Sequence, residues 1–337
     1  MVRMRKLFLG LMMLVLALAL AACGSATSST GGSANPDAAS GAGGTSQEAS
    51  ATQEQESEEI VVTHQLDETT VKKNPQNVVV FDFGVLDSLD KLGVEVAGVP
   101  QANVPAYLEK YKDSAYTNVG SLKEPDFEKI SAIGPELIII SARQADLYEE
   151  FAKIAPTIYM AVDNSRYMES FAENMKTLGQ IFGKEAEVEA ELQAMNETIE
   201  SVKQKAEASG KNALIILTTG GKVSAFGPGS RFGLIHDVLG VTPVDENIEV
   251  STHGMSISFE YIAEKNPDYL FVVDRDKVVS GEGAQPAEQV LDNDLVKGTK
   301  AYQNGNIVYL DPNYWYLSGG GLVSVSEMVK EVEAGLK

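Results

Sequence analysis

"FEKISAIGPELIIISAR" spans Phe127–Arg143, and "FEYIAEKNPDYLFVVDR" spans Phe259–Arg275. Every aligned pair is 132 residues apart. Phe127 and Phe259, Glu128 and Glu260, Ile130 and Ile262, and Pro135 and Pro267 recur in step. An apolar run follows in each copy, closed by Arg143 in one and Arg275 in the other. The first copy predicts a short helix over 126–133, a Gly-Pro break, then a strand in "ELIII". Writing this unit twice predicts two α/β lobes built alike. The closing residue is informative because Arg is scarce. After Cys23 the chain holds only Arg143, Arg166, Arg231 and Arg275, against 20 Lys.

The flanking sequence extends the same pattern. "NVVVFDFGVLDSLDKLGVEVAGV" gives an apolar run, an amphipathic stretch on Leu86, Leu89 and Leu92, and a second apolar run. That is β-α-β writing. A helical region follows. "SRYMESFAENMKTLGQIFG" stops at Gly183, and Val188, Leu192, Met195, Ile199 and Val202 then mark one face of a helix of about 25 residues. "NALIILTTGGKVSAFG" restarts a lobe with two strands around a Gly-Gly turn, "NIVYLDP" supplies a last strand, and "GLVSVSEMVKEVEAGL" a closing helix. The expected organisation is an N-terminal α/β lobe over 60–162, a connecting helical region over 163–210 and a C-terminal α/β lobe over 211–337. The fold class is α/β: two Rossmann-like lobes with a cleft between them.

Residues 1–22 carry two Arg and a Lys before an apolar run that ends in small residues, the architecture of a secretory signal. "LAAC" closes that run and resembles the bacterial lipobox, in which Cys23 is lipidated and becomes the new N-terminus. Cys23 is the single Cys of the 337 residues, so no disulfide is expected. After Cys23, residues 24–59 contain no large aliphatic or aromatic side chain, and 23–59 read as the lipidated Cys and a disordered tether. The formal charge is −21, and removal of residues 1–22 takes away three cations and leaves 24 Lys and Arg against 48 Asp and Glu. No basic stripe appears, which argues against a nucleic-acid partner. The lipid anchor places the expected protein on the outer face of the cytoplasmic membrane.

Ligands of α/β sheets sit beyond the carboxyl ends of the strands. Arg143 and Arg275 follow the strands of their repeats, so both are expected at the cleft rim. Arg231, in "GPGSRFG", lies on a Gly-Pro loop before a helix. Three Arg suit a planar, anionic, aromatic ligand, because a guanidinium hydrogen-bonds in a fork and also stacks. The competing reading is surface salt bridges, which is the one assigned to Arg166. His253 lies in a Gly-flanked polar loop and is a candidate site residue, while His64 and His236 read as structural. Tyr314, Trp315 and Tyr316 cannot all face one core, so some of them are expected to be exposed or to line the cleft. No HxxxH, HExxH, GxxxxGK[ST] or GxSxG spacing occurs, so neither a caged zinc, a phosphate loop nor a serine nucleophile is supported.

Together, "LIIISARQ", "GKVSAFGPGSRFGLIHDVLG", "VDENI", "STHGMSI", "EKNPDYLFVVDRD", "LDNDLV" and "NIVYLDPNYWYLSGGG" resemble the siderophore-binding lipoproteins of bacterial ABC importers. The similarity runs from about residue 60 to the end and points to the branch that takes catecholate ferric complexes, enterobactin-like or petrobactin-like. The resemblance implies lobes joined by a single long helix with little hinge motion. It implies three cleft Arg, falling on Arg143, Arg231 and Arg275, around a ferric siderophore. It further implies that His253 and Tyr316, with Tyr314 as the alternative Tyr, bind Fe3+ directly when a siderophore leaves two sites open. Glu128 and Glu260 would dock onto an ABC permease dimer. The expected protein is a monomeric receptor, not an enzyme, with no intrinsic cofactor. The rivals are a haem, cobalamin or other chelate receptor on the same scaffold, and a lipid-anchored siderophore hydrolase. Ala142 departs from the family pattern, which has Gly before the Arg.

Overall fold

The computed structural model describes residues 58–279 and 284–337. The signal-peptide, Cys23 and tether expectations lie outside the described residues, apart from Glu58 and Glu59. Both copies of the repeat fold as helix then strand. Phe127–Ile133 is capped by Asp126, whose carboxylate accepts from Lys129 N, and Phe259–Lys265 by Ser258, whose hydroxyl accepts from Tyr261 N. Gly134 (φ 62°) ends the first helix and Asn266 (φ 47°) the second, both left-handed. Gly and Asn are the residues that adopt this conformation at least cost, so the two differ in letter and agree in backbone. Ile130 and Ile262 are the fully buried residue of each helix.

A hairpin of β1 (Glu59–Thr63) and β2 (Glu68–Lys72) begins the fold, one residue earlier than the expected boundary. Then come β3 (Val79–Val80), β4 (Gly98–Val99), β5 (Thr117–Asn118), β6 (Ile138–Ile140) and β7 (Thr157–Tyr159). They form one parallel sheet in the order β5-β4-β3-β6-β7. The order reverses at β3, which opens a crevice between the carboxyl ends of β3 and β6.

The second sheet holds β8 (Asn212–Thr219), β9 (Lys222–Phe226), β10 (Thr242–Pro243), β11 (Met255–Ile257), β12 (Tyr269–Asp274) and β13 (Ile307–Leu310). Its order is β11-β9-β8-β12-β13, with β10 also on β8. The β8, β12 and β13 strands are parallel, as in the first sheet. Gly220 and Gly221, at φ 55° and 73°, turn β8 straight back into β9. Two positive φ values in a two-residue loop match the twist of a hairpin, so this edge is antiparallel. The repeated strands are buried on both faces in alternation. Ile139, Tyr269, Phe271 and Val273 face one core, while Ile138, Ile140, Leu270 and Val272 face two outer clusters.

Between the sheets run the helices Tyr167–Phe182 and Glu185–Ser209, separated by Gly183 in the left-handed region. The second has 25 residues, buries Val188, Leu192, Met195, Ile199 and Val202, and leads into β8. The core that it lines is continuous from Val62 to Leu336 and draws on both sheets.

The C-terminal helix Leu322–Gly335 joins the two halves. Its first turn docks on the first-lobe helix Phe83–Lys91. Val323 N donates to Asp87 Oδ1 (3.1 Å), Ser324 N to Asp87 Oδ2 (3.0 Å) and Leu322 N to Ser88 Oγ (3.0 Å). Orphan N–H groups at a helix start suit a carboxylate. Tyr107 Oη adds a 2.9 Å bond to Oδ2. A side chain at Gly321 would collide with the Asp87 carboxylate and the Gly84 carbonyl. Complete burial pushes the Asp87 carboxyl up to about 6, against the opposing pull of its Ser324, Val323 and Tyr107 hydrogen bonds.

Candidate functional site

Arg143 stands just beyond β6, on the turn Ala142–Leu147. The turn is pinned at its start. Ser141 Oγ donates to Asp82 Oδ2 (2.7 Å), Ser141 N to Gln144 Oε1 (3.1 Å), and Gln144 Nε2 to Leu122 O (2.5 Å). Ala142 does not require positive φ, so its replacement of Gly leaves the turn intact. Arg275 directly follows β12, and its N–H continues the sheet onto Thr218 O (3.2 Å). Arg231 rides the loop after β9, where Gly229 has φ 69° and donates to Asp237 Oδ2 (2.6 Å).

All three guanidiniums converge on Tyr316. Arg143 Nη2 and Arg231 Nη2 both donate to the Tyr316 carbonyl, at 3.2 and 3.1 Å. Arg275 Nε donates to the Tyr316 hydroxyl at 2.8 Å. The Arg231 guanidinium lies 4.6 Å from the Tyr316 ring centre and 4.9 Å from that of Phe232. Like charges gathered this way suit an anion and repel a bare cation. Burial and the neighbouring Arg143 charge bring Arg231 down to about 10, still cationic at neutral pH. Burial alone would raise the Tyr316 hydroxyl. The Arg275 hydrogen bond and the charges of Arg275, Arg231 and Arg143 outweigh it and pull the phenol below its ordinary range.

The neighbouring aromatics point elsewhere. Trp315 does not line the cleft as expected: it is 2% exposed, donates Nε1 to Glu331 Oε2 (2.8 Å) and packs edge-on to Phe232. Tyr314 lies against Tyr107 of the first lobe, with ring centres 4.8 Å apart, and not with the arginines. The π-helical turn Asn313–Ser318 sends these three consecutive rings in different directions. His253 is exposed on the turn before β11 and has no hydrogen bond to the arginine cluster among the described residues. Its neighbour Gly254 is pressed against Phe226, the residue that opens the Arg231 loop. Glu128 and Glu260 are exposed in the first turns of their helices. Arg166 pairs with Asp163, Glu169 and Glu173, as a solvated bystander should. His236 is buried with Nδ1 on Val241 O, and His64 meets Thr69 and Tyr148. Sequence reasoning missed Thr219 and Asp276, both in contact with Arg275. The one available signal was Asp276 standing next to an arginine of the repeat.

Two α/β sheets whose carboxyl ends bring three arginines onto one tyrosine define a two-lobed binding protein. Residues 78–314 match the periplasmic binding protein family, and the chain belongs to that family. It is a binding protein and not an enzyme. It is 56% identical over 284 residues to the petrobactin-binding protein YclQ of Bacillus subtilis, covering 83% of this chain and 89% of that one. The crystal structure of that protein superposes with a TM-score of 0.81, at 55% identity, over 83% of this chain and 99% of the other. The periplasmic catecholate-siderophore binding protein VctP of Vibrio cholerae gives a TM-score of 0.79 at 40% identity, over 82% of this chain and all of its own. The ferric-anguibactin-binding protein FatB of Vibrio anguillarum is 33% identical over 281 residues, 82% of this chain and 87% of that one. Among the described residues no helix is long and apolar enough to cross a membrane.

Proposed function

We propose that the chain is the extracytoplasmic receptor of an ABC importer and carries a ferric catecholate siderophore, of petrobactin type, to its permease. The observation that carries this reading is the convergence of Arg143, Arg231 and Arg275 on one tyrosine between the lobes. A ferric complex of catecholates is a compact multivalent anion with aromatic faces, and guanidiniums answer both properties. The relatives named for petrobactin and catecholate siderophores support the ligand class. Cys23 anchors the receptor through lipid to the outer face of the membrane. The protein acts as a monomer, and Glu128 and Glu260 meet the permease dimer. His253 and Tyr316 supply the last two iron ligands when the siderophore is tetradentate. Iron enters as cargo, so no resident cofactor is required.

The test is a titration of the purified protein with ferric triscatecholate, ferric bis-catecholate, haem and cobalamin, followed by quenching of Trp315. Although buried, that indole stands next to Tyr316 in sequence and within range of energy transfer to a coloured complex. Saturable quenching by the catecholates with intact ligand recovered afterwards is the expected result. Binding of haem or cobalamin alone would overturn the reading.

A further inference from the structure

Arg143 and Arg275 hold one register position in the two repeats, so the residues that follow them are also equivalent: Gln144 and Asp276. Both side chains are buried, at 1% and 7% exposure. Gln144 turns away from its arginine, onto Ser141 and Leu122. Asp276 does the opposite. Its Oδ1 lies 3.5 Å from Arg275 Nη1, and its Oδ2 accepts from Gly220 N at 2.5 Å. Thr219 links the two, accepting from Arg275 Nη1 (3.1 Å) and donating to Asp276 Oδ1 (3.2 Å). One edge of the Arg275 guanidinium is therefore held from behind by the β8–β9 hairpin. Its Nε is left for Tyr316, and its Nη2 has no hydrogen-bond partner among the described residues.

Resting on the receptor reading above, we infer that Thr219 and Asp276 are positioning residues that aim Arg275 into the cleft, and that the Asp276 carboxylate sets which ligand charge the site prefers. The two parts separate chemically. Thr219 orients without carrying charge. Asp276 orients and subtracts one unit from the three guanidiniums, so it discriminates most against the most highly charged complex. A ferric triscatecholate carries a net charge of −3 and a ferric bis-catecholate −1. Coulomb energies scale with ligand charge, so loss of the carboxylate changes the logarithm of affinity three times as much for the first as for the second.

The experiment measures affinities of wild type, Asp276→Asn and Thr219→Val for both complexes. Asp276→Asn keeps the size and one acceptor, and is expected to move the ratio toward the triscatecholate by about tenfold. Thr219→Val is expected to weaken both complexes, the triscatecholate more, because a misaimed Arg275 loses Coulomb energy in proportion to ligand charge, so the ratio moves opposite to that of Asp276→Asn. A folded Asp276→Asn protein with the wild-type ratio would overturn the charge assignment. Unchanged affinities in Thr219→Val would overturn the positioning role, and that arm stands even if Asp276→Asn does not fold. A wild-type protein that binds neither complex would instead reject the receptor reading itself.

Discussion

Arg143 and Arg275 occupy the same place in two copies of one sequence repeat and reach the same tyrosine from opposite lobes. Arg143 takes the carbonyl of Tyr316 and Arg275 its hydroxyl. Arg231 joins them on the carbonyl and stacks on the ring. Tyr316 thus holds together three cations that would otherwise repel one another.

Removing one of those cations removes a charge-assisted contact with an anionic ligand, worth about 1–3 kcal/mol after desolvation. Changing Arg143, Arg231 or Arg275 to Ala should weaken ferric catecholate binding by about 10- to 100-fold each. Arg166→Ala should not, because that side chain is spent on Asp163, Glu169 and Glu173. Fluorescence titration checks this, and wild-type affinity in all three cleft variants would reject the site.

Iron in a bis-catecholate has two coordination positions left over. The lowered affinity of the Tyr316 phenol for its proton favours a phenolate ligand. Tyr316→Phe combined with His253→Ala should abolish the shift of the visible charge-transfer band on binding a ferric bis-catecholate. Triscatecholate affinity should fall far less. An unaltered band in the double variant would show that neither side chain touches the metal.

Glu128 and Glu260 are exposed at equivalent positions of the two lobes, and neither has a hydrogen bond or ion pair to the arginine cluster among the described residues. Reversing both to Lys should abolish iron uptake by cells while leaving the affinity of the purified protein unchanged. Normal uptake would remove them from the permease contact.

Asp87 binds its proton more tightly in the fold, at about 6, than the ordinary 3.8 of an unfolded Asp. A group raised in this way contributes stability that is complete below pH 3.8 and is lost as pH rises through about 6. The difference amounts to about 3 kcal/mol. Denaturant unfolding between pH 4 and 7 should show this slope in wild type and not in Asp87→Asn. Identical pH profiles would mean that Asp87 titrates normally.

The repeat, the 25-residue helix and the three arginines that meet on Tyr316 were legible because each leaves a local mark: a register, an apolar spacing, a rare residue. Gly134 and Asn266 show how a pattern persists through a change of letter, since the backbone asks only for a left-handed turn. Trp315 was misread because the direction of its ring depends on Glu331, 16 residues away and on another element. Asp87 escaped notice for the same reason on a larger scale, its partners Val323 and Ser324 lying over 230 positions further along the chain. Period and composition carry no information about pairings of that kind.

The Gly84–Gly321 contact, sealed by Asp87 within a core shared by both sheets, has a consequence for traffic at the membrane. A body braced at its waist cannot announce its cargo by folding in half. On the docking proposal, empty and loaded copies then offer the transporter much the same pair of acidic footholds. They must queue for the same doorway, so a surplus of unladen receptors would slow iron delivery where more carriers might be expected to speed it.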